Sequence, residues 1–111
     1  MAGRLAGKVA IVSGGATGMG GASSSLFAAE GAKVAIIDRS AEAGAARVAE
    51  IKAAGGVAMF QQADVSKAAE VNAAVKAIEA AFGPVTVLFN HAGTIHQAVP
   101  RYDRGRVGLA A

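Results

Sequence analysis

Cysteine and tryptophan are absent from this 111-residue chain, proline occurs twice, and aromatic residues make up 5% of it. Without cysteine there is neither a disulfide framework nor a thiolate metal site, and the composition suits a reducing compartment. With so few aromatics, the 53% of apolar residues are dominated by alanine. Any core is therefore thin, and each large side chain in it counts. No apolar run is long enough to span a bilayer, and the opening "MAGRLAGKVAIVSGG" lacks the apolar stretch of a signal peptide. A cytoplasmic location with no membrane partner is the expectation. Charge of one sign is scarce too. Of the net +3, residues 97–111 hold +2, from Arg101, Arg104 and Arg106 against Asp103. The +1 left on the rest forms no recurring basic face, which speaks against nucleic acid as a partner.

What is present is a repeating order of elements. "KVAIVS" (8–13) is a short β-branched run closed by Gly14, and "AKVAIID" (32–38) repeats it and ends on an acid. "VAMFQQAD" (57–64) and "VTVLFN" (85–90) follow, the last opened by the turn pair Gly83-Pro84. Continuous rather than alternating apolar strands point to a parallel sheet covered on both faces. Helices are expected between them. The first spans residues 18–30 and stops at Gly31. The second is capped by Ser40 and ends at Gly55-Gly56. The third is capped by Ser66, with Val71, Val75, Ile78 and Phe82 at helical spacing. The order βαβαβαβ with right-handed crossovers implies a Rossmann-type, doubly wound α/β sheet in strand order 3-2-1-4, cut off after the fourth strand. The switch point then lies between the first and fourth strands. Met19 and Met59 read as packing residues.

Glycines crowd the end of the first strand, in "VSGGATGMGGASSSLF" (12–27). A strand that turns into a helix there presents unpaired N–H groups and the positive helix end, which suit a diphosphate. Gly14 permits the tight turn, Gly18 a close approach to phosphate, and Gly20 close packing of helix on strand. The spacing is Gly14-x-x-x-Gly18-x-Gly20, and Asp38 closes the second strand 18 residues after Gly20, near the ribose-binding distance of this motif.

In these motifs the sequence resembles the classical short-chain dehydrogenase/reductase family. "SGGATGMG" (13–20) stands for that family's Thr-Gly-x-x-x-Gly-x-Gly, with Ser13 in place of Thr. "IID" (36–38), "ADV" (63–65) and "NHAG" (90–93) follow in order, each at a strand end, with His91 replacing the family's second Asn. The resemblance covers residues 5 to about 95. It implies an NAD-binding half-domain over 1–95, with NAD favoured over NADP. Gly14, Thr17, Gly18, Met19 and Gly20 would line the pyrophosphate and adenosine ribose. Asp38 would accept from the ribose hydroxyls, with Arg39 beside it as partial counter-charge to a phosphate. Asp64 and Val65 would flank the adenine, and Asn90, Ala92 and Gly93 would support the cofactor at the fourth strand. Ordinary strand-end capping by Asp38 and Asp64 is the rival reading.

The same resemblance implies hydride transfer between nicotinamide and an alcohol or carbonyl carbon. It needs a Ser and a Tyr-x-x-x-Lys downstream of Asn-Ala-Gly. No such residues follow in the 18 positions after Gly93. Tyr102 and Arg106 mimic the spacing, but Gly105 between them disfavours a helix and guanidinium is a poor proton relay. No catalytic or metal-binding residue is therefore assigned. The chain reads as a catalytically incompetent half of an oxidoreductase, or else as a free-standing nucleotide-binding or scaffold module. Loss of a second half would leave the fourth strand as an open edge and the third helix uncovered, so self-association is expected. Residues 96–111 form an atypical basic tail. One permitted back-translation from Gln97, read one base later, gives Lys-Pro-Phe-Leu-Asp-Thr-Thr-Glu-Asp-Glu-Trp-Asp, similar to what classical members carry at this place. The tail is thus expected to be a frame-shifted reading, and a coding sequence that cannot be read this way would end that hypothesis.

Overall fold

The computed structural model describes residues 3–90. His91, Ala92, Gly93, the 95/96 boundary and the tail with Tyr102 and Arg106 lie outside the described residues.

Seven elements alternate as expected: β1 (Val9–Ser13), α1 (Gly18–Ala29), β2 (Lys33–Asp38), α2 (Ala41–Ala53), β3 (Val57–Gln62), α3 (Ala68–Phe82) and β4 (Val87–Asn90). All strand pairs are parallel, in the order β3-β2-β1-β4. This is a Rossmann-like α/β sheet. Alternation along each strand divides the core in two. Ala10, Val12, Val34 and Ile36 pack with Ala28 of α1 and Ile51 of α2, while Val9, Ile11, Ala35 and Ile37 pack with Val71, Ala74, Val75 and Ile78 of α3. The large members are few, and each buried Ile or Val contributes about 1.5–3 kcal/mol.

Local signals place the helix ends. The Ser40 hydroxyl accepts from the amide of Ala43 at 3.2 Å and caps α2. Gly31 and Gly55 sit at φ +98° and +91°, the left-handed conformation that stops α1 and α2. Three expectations need correction. Ser66 does not cap α3: the helix begins at Ala68, so that Lys67 occupies the N-cap position, without a side-chain cap, and Ser66 lies one residue too early, its hydroxyl donating to Asp64 Oδ1 at 2.7 Å. β4 starts at Val87, because the Thr86 hydroxyl accepts the Val9 amide at 2.8 Å and takes over one rung of the ladder. Met19 does not pack, being 72% exposed on the first turn of α1, whereas Met59 lies against the α3-side core.

Candidate functional site

The glycine-rich segment leaves the sheet where β1 lies between β2 and β4, with Ser13 in register with Ile37 on one side and Asn90 on the other. α1 lies on one face and α3 on the other, so this is the switch point of the sheet. Gly14 turns the chain at φ +69° while its amide donates to the Ile37 carbonyl at 2.7 Å. A Cβ on Gly20 would run into the carbonyl oxygen of Gly14, so only glycine lets α1 sit this close to the strand end.

Hydrogen bonds turn the loop carbonyls inward. The buried Ser24 hydroxyl donates to the carbonyls of Gly15 and Gly20, both at 2.9 Å. Arg47 Nε donates to the Ala16 carbonyl at 3.1 Å. On the outer side, Thr17 is the N-cap of α1 but its side chain makes no cap hydrogen bond, and the first turn holds no acid. The amides opening α1 are thus left to an outside acceptor, with the positive helix end behind them. Gly18, exposed at φ +60°, has open space where a side chain would stand. These features fit an anionic diphosphate approaching bare backbone.

The two strand-end acids stand nearby. Asp38, partly buried, accepts from the amide of Ala16 through Oδ2 at 3.2 Å and from that of Ser40 through Oδ1 at 3.1 Å. Each oxygen keeps a lone-pair direction for another donor. Asp64 Oδ1 accepts from both the amide and the hydroxyl of Ser66, at 3.0 and 2.7 Å. The Ser66 hydroxyl and then its amide hold the Asp64 carboxyl below its ordinary value, with smaller help from the charges of Arg39 and Lys67. Beyond the carboxyl ends of β2 and β3, Arg39, Gln62, Ala63, Asp64 and Glu70 line a cavity of about 330 Å³. Val65 instead packs against the α3-side core, and the backbone of Asn90 ends β4 beside Ser13.

The structure therefore gathers Gly14, Thr17, Gly18, Met19 and Gly20 at one end of the sheet. Asp38 is tied to the same loop, and Arg39 and Asp64 share the neighbouring cavity. Arg47 was missed by the sequence reading, because its loop partner lies 31 residues away and no motif marks it. Among the described residues no cluster of three or more metal-ligating side chains occurs, and no helix is long and apolar enough to cross a membrane.

Comparison with known proteins bears on this arrangement. Residues 8–105 match the family model described as short chain dehydrogenase. The chain is 54% identical over 96 residues to 2,5-dichloro-2,5-cyclohexadiene-1,4-diol dehydrogenase of Sphingobium indicum, a match covering 86% of this chain and 38% of that protein. It is 41% identical over 95 residues to D-threitol dehydrogenase of Mycolicibacterium smegmatis, covering 86% and 36%. Among solved structures it is similar to the citronellol catabolism dehydrogenase of Pseudomonas aeruginosa, with a TM-score of 0.78 and 31% identity over 81% of this chain and 38% of that one. The chain thus spans under two fifths of the length of these relatives.

Proposed function

The chain belongs to the short chain dehydrogenase family, and from that premise we propose that residues 1–95 are the NAD-binding half of an oxidoreductase. The observation that carries this reading is the glycine loop, its carbonyls bonded inward and the first amides of α1 left uncapped above Gly18. In this reading the backbone of Gly14, Thr17, Gly18, Met19 and Gly20 holds the pyrophosphate. Asp38 accepts from the adenosine ribose through its remaining lone pairs. Asp64 and Val65 flank the adenine, the Asp64 oxygen not bonded to Ser66 facing its amino group; Arg39 stands beside Asp38, and Asn90, at the end of β4, supports the cofactor together with Ala92 and Gly93. When bound, the nicotinamide supplies the hydride chemistry, exchanging hydride with an alcohol or carbonyl carbon. The residues of this chain bind and orient the cofactor, and none of them serves as the proton donor. The protein works in the cytoplasm, and its β4 edge and α3 face associate with a second copy.

The Asp38 carboxylate favours NAD over NADP. A 2′-phosphate would meet its charge and displace its ribose bonds, each worth about 1.5–3 kcal/mol. Calorimetric titration of the chain with both cofactors tests this, with tighter NAD binding expected. Tighter NADP binding, or no uptake of either, would overturn it. The same sample, given NAD and a panel of alcohols, is expected to show no change in nicotinamide absorbance above that of a Gly18→Asp variant.

A further inference from the structure

Arg47 belongs to none of the strand ends or motifs used above, yet its side chain reaches the glycine loop from α2. Its side chain is 23% exposed and its guanidinium engages three groups. Nε donates to the Ala16 carbonyl at 3.1 Å, and Nη1 donates to Ser25 Oγ at 3.2 Å and to Glu50 Oε1 at 3.0 Å. The remaining nitrogen lies over Gly21, where a Cβ would come within 2.6 Å of Nη2. A residue on α2 thus bridges to α1 and to the loop through a slot left by a glycine.

The consequence falls on one peptide group. Ala16 is held at both ends, its amide by Asp38 Oδ2 at 3.2 Å and its carbonyl by Arg47. No peptide bond of the described chain is cis. In a planar trans peptide the C=O and the following N–H point in opposite directions. Drawing the Ala16 carbonyl toward α2 therefore turns the Thr17 amide away from it, toward the open side where α1 begins.

We propose that Arg47 is a positioning residue for the dinucleotide loop: it locks the Ala16–Thr17 peptide so that the Thr17 amide is presented to the cofactor diphosphate. The proposal rests on the cofactor reading above. A lysine cannot replace it in full, because a single ammonium lacks the planar fork that reaches Ala16, Ser25 and Glu50 together.

The test uses the full chain as wild type, Arg47→Met, Arg47→Lys and Ser25→Ala. Amide hydrogen exchange is followed without ligand, and NAD affinity is measured by calorimetry. In Arg47→Met, the hydrogen-bonded loop amides of Gly14 and Ala16 should exchange at least about tenfold faster while those inside β1 and β2 stay within about twofold. NAD should bind about tenfold or more weakly, the factor expected for one lost bond to a charged donor. Arg47→Lys should fall between the two. If Arg47→Met does not fold, Ser25→Ala, which removes one of the three anchors, must show a smaller loop-confined increase. Unchanged loop exchange, an increase spread evenly through the sheet, or equal NAD affinity in wild type and Arg47→Met would overturn the proposal. Faster loop exchange with no NAD uptake by the wild type would overturn the cofactor reading and leave the hold of Arg47 on the loop standing.

Discussion

Asp38 closes β2 with its carboxylate turned back across the top of the sheet, onto the amide of Ala16, 22 residues away. Asp64, just beyond β3, spends Oδ1 on the amide and hydroxyl of Ser66, two residues on. In the sequence the two acids look alike, each ending a strand before a helix. The structure gives them different work. The first acid constrains a distant loop, so it can shape a binding surface. The second stabilises its own turn, just before α3 begins. A long-range bond couples two regions, whereas a local one mainly biases the conformation of a few residues.

Several perturbations would break or sharpen this contrast, and the largest effect is expected at the Asp38 end. Gly20→Ala sets a Cβ against the Gly14 carbonyl and must push α1 from the strand end. Overpacking of this kind costs about 1–3 kcal/mol or more. Thermal unfolding should show it, and adding Asp38→Ala to that variant should cost less than Asp38→Ala alone, since the loop has already shifted. Strict additivity of the two would count against a shared loop.

Asp38→Ala in the wild-type background removes both carboxylate bonds and is expected to lower stability by about 1.5–3 kcal/mol, read from denaturant titration without cofactor. The exchange of the Ala16 amide should rise with it. A loss confined to α2, with Ala16 still protected, would mean that the Ser40 bond alone matters.

Asp64→Asn should have the smallest effect, and its pH dependence identifies it. The Ser66 hydroxyl and amide hold the Asp64 carboxyl below the ordinary 3.8. Its folded value is therefore depressed, and its contribution is full above the unfolded value. That contribution disappears as pH falls through the lower folded value. The stability gap between wild type and Asp64→Asn should accordingly be constant at neutral pH and close in acid. A gap that widens as pH falls would show that Ser66 does not act on the charged form.

Much of this was readable because the relevant physics is local. β-branched runs make the strands, Gly31 and Gly55 stop helices through a conformation few other residues adopt, and Ser40 caps α2 from three residues away. The place of the glycine loop follows from the same signals. Other features were not readable, because two local options competed. Ser66 and Lys67 were both possible starts for α3, and the helix took the later one, while Thr86 could extend β4 or accept the Val9 amide through its side chain. Met19 looked like a core residue by type, and its position at the exposed start of α1 overrode that.

By itself the sequence determined the element order, the parallel sheet with strand order 3-2-1-4 and the glycine-rich turn at the switch point, since apolar spacing, glycine and right-handed crossovers act over a few residues or a single crossover unit. Only the tertiary structure decided that Asp38 reaches Ala16, that Arg47 crosses from α2 to the same residue, and that Gly21 makes room for it. Those partners lie 22 and 31 residues apart in the chain. Nothing in the local pattern of either residue marks the other, and they meet because the crossovers pack two helices onto one face of the sheet.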